Sequence, residues 1–143
     1  MLDTNLLIAL LWPRHMQHDP ALKWFSRNRA KGWATCPMTQ AGFVRIVSNP
    51  AFSRDAVSPW EAVSVLRANT EGDDHQFWPD DASLPDAASF FGLRLVGHQQ
   101  VTDAYLLALA IRREGVLVTF DGSVAVLLEP KSPNTKFIEV LRQ

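Results

Sequence analysis

The stretch Val101-Thr102-Asp103-Ala104-Tyr105-Leu106-Leu107-Ala108-Leu109-Ala110-Ile111, followed closely by Val116-Leu117-Val118-Thr119-Phe120-Asp121, constrains the fold most. From Asp103 to Ile111 apolar residues cover every face of a helix, so that helix must be packed on more than one side. Arg112, Arg113 and Glu114 form a charged last turn, and Gly115 is expected to stop it. Val116 to Phe120 is short, β-rich and uninterrupted, as a strand buried on both faces should be. About eleven helical residues rise roughly 16 Å, and a five-residue strand returns about as far. As antiparallel neighbours the two place Asp103 and Asp121 at one edge, the carboxyl end of the strand, where open α/β sheets hold ligands.

Length and composition narrow the class. A chain of 143 residues suits one domain with a sizeable core. With 47% hydrophobic and 20% charged residues, disorder is not expected. No apolar run is long enough for a bilayer, and no basic, small-residue leader opens the chain. Cys36 is the sole cysteine, which excludes an internal disulfide and a cysteine-based zinc site. A cytoplasmic, membrane-free protein is the expectation. The net charge of −1 excludes a wholly basic surface but leaves room for a local basic patch.

Along the chain, Asp3, Thr4 and Asn5 are capping types ahead of an apolar helix that ends before Pro13. A second helix spans His18 to Ala30 and stops at Gly32. Trp33 to Cys36 reads as a strand closed by Pro37, and Thr39 as the cap of a helix over Gln40 to Ser48. Ser58-Pro59 opens a helix ending near Asn69. A strand over Gln76 to Trp78, a short helix over Leu84 to Phe91 and a connection or edge strand over Gly92 to Gly97 follow. After Asp121 come a helical piece over Ser123 to Leu128 and a last strand over Lys136 to Leu141. Strands alternate with helices, which favours an α/β fold with a mostly parallel sheet between helical layers.

Three aspartates stand at similar points of this pattern: Asp3 after the first strand position, Asp103 at the start of the central helix, and Asp121 after the central strand. If the first strand is parallel to the central one, all three meet at one edge. Carboxylates so close raise one another's pKa. A hard divalent cation such as Mg²⁺ relieves that repulsion while keeping several waters, and it can activate water for phosphoryl displacement. Thr102 and Thr119 are candidates to position water or substrate, and Asn5 to hydrogen-bond Asp3. Each acid also has an ordinary structural role, at a cap for Asp3 and Asp103 and in a turn for Asp121-Gly122. Their joint placement carries the functional reading.

Met1-Leu2-Asp3-Thr4-Asn5, Thr102-Asp103-Ala104 and Thr119-Phe120-Asp121 together resemble the acidic motifs of PIN-domain ribonucleases. Cys36-Pro37-Met38-Thr39-Gln40-Ala41-Gly42-Phe43-Val44-Arg45 and Gly97-His98-Gln99-Gln100-Val101-Thr102-Asp103-Ala104-Tyr105 resemble the VapC toxins within that family. The resemblance covers nearly the whole chain. It implies a single PIN domain over residues 1–143, a three-layer α/β/α sandwich. It also implies a Mg²⁺- or Mn²⁺-dependent endoribonuclease acting on tRNA, rRNA or mRNA, neutralised by a VapB-type antitoxin, and a homodimer. Asp3, Asp103 and Asp121 are then the metal ligands and catalytic residues.

One departure stands out. The family pattern expects a glutamate three residues after the threonine that opens the third helix, and counting from Thr39 that position is Gly42. A single ion with more waters is the expected consequence, with Gln40 able to offer a neutral oxygen. The acids Asp73, Asp74, Asp80 and Asp81 would substitute only if their loop folded over the edge. Arg14, His15, His18, Lys23, Arg27, Arg29 and Lys31 make the N-terminal third basic, a candidate phosphate track. Arg45 is the sharpest single candidate for a phosphate contact, and His98 a weaker candidate for an RNA contact than for a structural loop role. Some of Trp12, Trp24, Phe25, Trp33, Phe43 and Trp60 are candidates to line a groove for an antitoxin helix. Two other readings stay open: a non-catalytic RNA- or partner-binding PIN-like module, and an aspartate-based phosphotransfer domain. The second wants an acid where Asn5 stands, or an acid pair before its first aspartate.

Overall fold

The computed structural model describes residues 1–142. Helices alternate with short parallel strands, and the chain gathers into two compact units. One comprises residues 2–79; the other comprises Met1 with residues 80–142.

In the first unit, α1 (Thr4–Leu11) begins where the Asp3 carboxylate accepts the Leu6 N–H at 2.6 Å. It buries Leu6 to Leu10 against α2 (His18–Asn28) and α3 (Pro37–Val47). Pro37 is preorganised for the first turn of α3. Thr39 is not the N-cap residue that its sequence position suggested; Cys36 is. Thr39 lies inside the first turn, where its hydroxyl accepts the Cys36 N–H at 3.0 Å. The helix α4 (Pro59–Thr70) opens with a reciprocal cap, Ser58 N–H to the Glu61 carboxylate at 2.7 Å and Glu61 N–H to the Ser58 hydroxyl at 3.2 Å. Strands β1 (Trp33–Thr35) and β2 (His75–Phe77) are parallel, with Trp33 opposite His75 and Thr35 opposite Phe77. Leu2 N–H bonds the Ala34 carbonyl at 3.0 Å, so the residues beside Asp3 are tied to β1.

In the second unit, α5 (Leu84–Ser89) packs on α6 (Gln100–Arg112), the helix expected to be apolar all round. Every residue from Ala104 to Ala110 is buried. Its end is one residue earlier than the glycine suggested. Glu114 takes the left-handed conformation, with φ 51°. The Gly115 N–H then reaches back to the Ala110 carbonyl at 2.9 Å, and Glu114 N–H to Ile111 at 3.1 Å, satisfying two terminal carbonyls. Strand β3 (Leu117–Thr119) is buried throughout and pairs in parallel with β4 (Ile138–Val140). Met1 lies on the other side of β3, donating to the Val116 carbonyl and accepting from Val118 N–H at 2.9 Å. That alternation is a parallel pairing, as the sequence argument required. The segment Gly92–Arg94 is a 3₁₀ turn and not an edge strand. Among the described residues, no helix is long and apolar enough to cross a membrane.

Candidate active site

The second unit brings Asp103 and Asp121 together. Asp103 occupies the first turn of α6, half-buried, where the N-terminal end of the helix dipole suits an acid. Asp121 leaves the end of β3 and is exposed. It is held from two sides: its N–H donates to the Thr119 hydroxyl at 2.9 Å, and its carboxylate accepts the Ser123 N–H at 2.8 Å. Burial, and then the negative charge of Asp121, push the Asp103 carboxyl from 3.8 up to about 6. Two oxygen-only ligands whose charges oppose one another fit a hard divalent cation, which would remove the repulsion and favour both ionised forms.

This has a measurable consequence for the metal-free protein. The Asp103 carboxyl has its higher pKa in the folded state, so folding favours its protonated form. Stability from this group is therefore present at low pH and lost as pH rises between about 4 and 6. That shift corresponds to at most about 3 kcal/mol, and solvent screening at a half-buried site brings it to about 1 kcal/mol. Chemical denaturation in EDTA should show the wild type losing about this much across that window, while Asp103→Asn stays flat there apart from the other acids.

Asp3 belongs to the first unit. It is 4% exposed, and its carboxylate caps α1. The bond expected from Asn5 is made by the Leu6 backbone N–H, and the Asn5 side chain is exposed. Among the described residues, no three His, Cys, Asp or Glu side chains are gathered closely enough to form a ligand cage. Thr102 is exposed at the start of α6, free to meet a ligand. Thr119 is wholly buried, and its hydroxyl is engaged by the Asp121 backbone. It therefore holds Asp121 in place.

The third helix gives Gly42 a different meaning. A Cβ at that position would lie 2.8 Å from Thr4 Cγ2 and 2.9 Å from Thr4 Oγ1. Rotating the threonine exchanges one γ atom for another, and Thr4 Cβ itself is 3.5 Å away. The glycine thus permits close approach of α3 to the start of α1. It is a packing requirement, and no carboxylate fits there as the fold stands.

The basic residues are partly spoken for. Arg14 pairs with Asp55, and Arg29 with Asp74 at 2.7 Å, while the Arg29 guanidinium also lies over the Phe25 ring at 5.5 Å. His18 bonds the Ala9 carbonyl at 2.8 Å. Lys23, Arg27, Arg45 and His98 remain exposed. Two of the four acids proposed as stand-ins are engaged, Asp74 with Arg29 and Asp81 with Arg113 at 2.7 Å. Of the aromatic residues, Trp33 and Phe43 are core, and Trp12 meets Phe52 edge-on at 6.1 Å. Trp60 is 70% exposed on α4.

Residues 1–127 match the PIN domain. The chain is 42% identical over 141 residues to ribonuclease VapC39 of Mycobacterium tuberculosis (strain ATCC 25618 / H37Rv), covering 99% of this chain and 98% of that protein. It is 45% identical over 135 residues to ribonuclease VapC38 of the same strain, covering 93% and 94%. It is 41% identical over 130 residues to ribonuclease VapC44, covering 91% of each chain.

The chain belongs to the PIN-domain family of VapC ribonucleases.

The α/β reading and the nuclease reading of the sequence therefore stand, and the phosphotransfer alternative falls. In a VapC-family PIN domain, a divalent ion is the general requirement. One group that sequence reasoning undervalued is Gln40. Its amide Nε2 donates to the Thr35 hydroxyl at 2.9 Å, and that hydroxyl meets His75 Nε2 at 2.8 Å. Separations of five and forty residues hide such a chain from any local pattern.

Proposed function

We propose that this chain is the toxin of a type II toxin–antitoxin pair, a Mg²⁺-dependent endoribonuclease neutralised by a VapB-type antitoxin. The observation that carries the reading is the pair Asp103–Asp121, two opposed carboxylates with Asp103 raised to about 6. Asp3 completes the proposed ligand set, with Mn²⁺ as the substitute ion. Bound there, the ion would supply an activated water and charge stabilisation for displacement at phosphorus.

The protein's part is positional. The Ser123 N–H and the Thr119 hydroxyl fix Asp121, and the Leu6 N–H fixes Asp3, so each carboxylate is held in place within its own unit. Arg45, Lys23 and Arg27 offer exposed cations for the RNA backbone, with Thr102 beside Asp103 as a hydroxyl contact. The antitoxin partner and a homodimer belong to the same reading, which places the protein in the cytoplasm as a single domain.

The test is cleavage of total RNA by purified protein with Mg²⁺, with EDTA, and with EDTA followed by excess Mg²⁺. Cleavage that disappears with the chelator and returns with the metal supports the reading. RNA that is bound but uncut in every condition overturns it in favour of a binding module. Light scattering on the same sample reads the dimer.

A further inference from the structure

A cleft of about 640 Å³ opens in the second unit, between the turn that follows α5 and the loop that leads into β4. Leu127 and Leu128, both buried, and the half-exposed Phe90 give it apolar walls. Arg94, Ser132 and Asn134 line the same space with polar groups. Among the described residues the Asn134 side-chain amide makes no hydrogen bond, so its donor and its acceptor are both unused. The Ser132 hydroxyl accepts the Asn134 backbone N–H at 3.2 Å and has its own proton to give. Arg94 and Glu129 stand 3.9 Å apart, beyond hydrogen-bond distance, so the guanidinium keeps its donors.

The cleft is joined to Asp121 within the same unit. Asp121 caps the 3₁₀ turn Gly122–Leu127, and the far end of that turn is a wall of the cleft. Its six residues, at about 2 Å each, put that wall roughly 12 Å from Asp121, the reach of a short single-stranded oligonucleotide. The lining selects the occupant. A partner helix docks through a row of apolar anchors, whereas here the apolar walls are interrupted by an amide, a hydroxyl and a guanidinium. An unpaired base uses all of these: its face stacks on an aromatic ring, and its edge hydrogen-bonds to side chains. The volume is within the range of small-ligand sites and is ample for one nucleotide.

We infer that this cleft is a subsite for one unpaired base of the substrate RNA, with Phe90 as the stacking platform, Asn134 reading the base edge and Arg94 holding the adjoining phosphate. The inference deepens the proposed ribonuclease function and rests on it. A donor beside an acceptor on one amide is the pattern that pairs with adenine N7 and N6, so the cleft favours adenine. Its effect is on specificity. The base held here sets which phosphodiester reaches Asp103 and Asp121, and none of the three residues touches the reacting atoms.

The test uses the full chain in EDTA with labelled single-stranded RNA decamers of adenosine, cytidine or uridine, and an abasic decamer, read by fluorescence anisotropy. Oligoadenosine should bind best. Phe90→Ala should weaken it about tenfold or more, and Phe90→Trp should hold it; neither should alter binding of the abasic strand. Arg94→Gln should weaken all strands alike. Asn134→Asp, which replaces the donor by a second acceptor, should move the preference from adenine to cytosine, a change that no loss of packing produces. With Mg²⁺, the wild type should cut at a fixed distance from an adenine, and Phe90→Ala without that preference. Equal binding of oligoadenosine by the wild type and Phe90→Ala overturns the inference, as does an unchanged base preference in Asn134→Asp. So does sedimentation in which Phe90→Ala turns a dimer into a monomer with RNA binding unchanged, since the cleft is then a contact between protein chains. Adenine-selective binding that depends on Phe90, with no cutting in Mg²⁺, removes the nuclease reading and leaves the base site. Mg²⁺-dependent cutting at the same positions in wild type, Phe90→Ala and Asn134→Asp removes the base site alone.

Discussion

Asp103→Asn yields a folded protein that cuts RNA at least about a hundredfold more slowly, since one ligand of an ion that stabilises developing charge is worth several kcal/mol. The asparagine is nearly the same size, so packing at the first turn of α6 is kept. The same change stabilises the metal-free protein at pH 8 by about 1 kcal/mol, because it deletes the charge that burial and Asp121 oppose. Activity and stability therefore move in opposite directions, the signature of a charge cluster maintained for function. Cleavage of a labelled RNA with Mg²⁺, and urea melts with EDTA, read the two effects. If the variant cuts RNA normally, the ligand assignment is wrong. If it is inactive and also less stable, the damage is to the fold, and Asp103 is a structural residue.

Gly42→Glu, designed to restore the acid expected at that position, instead destabilises the protein by about 1–3 kcal/mol. The added Cβ meets both γ atoms of Thr4 below 3.0 Å, and relief demands that α3 move away from α1 or that Thr4 be displaced from the residue next to Asp3. A loss of that size lowers the melting temperature by several degrees in a chain of this length. No second ion should be gained, which Mn²⁺ titration would show as an unchanged stoichiometry. Pairing the change with Thr4→Ala or Thr4→Gly should recover part of the stability, since it removes the atoms in conflict. If Gly42→Glu is neutral and binds an additional ion, the close-packing account is refuted.

The central helix and strand were legible because periodicity and burial agree there: a helix apolar on all faces has to be interior, and Ala104 to Ala110 are. The Asp103–Asp121 pair followed from matching the helix and strand lengths. The third helix was misread in two places for one reason. Thr39 and Gly42 both look like local signals, a cap and a vacated ligand, yet each is decided by a neighbour. Thr39 bonds back to Cys36 from inside the helix, and Gly42 answers to Thr4, thirty-eight residues earlier. Asn5 and Thr119 show the same limit. Asn5 was expected to hold the Asp3 carboxylate and Thr119 to position water or substrate, but a backbone N–H reached the Asp3 carboxylate first, and the Thr119 hydroxyl is used within the strand end. A sequence shows which residues can make a bond. It rarely shows which competitor makes it.

The sole thiol of the chain, on Cys36, is wholly buried between Thr35 and Pro37, where β1 turns into α3. An alkylating reagent can reach that sulfur only when this junction opens, so the rate of labelling is a clock for local opening at the end of β1 that carries Thr35. The protein thus contains its own reporter, silent in the closed state and needing no introduced label.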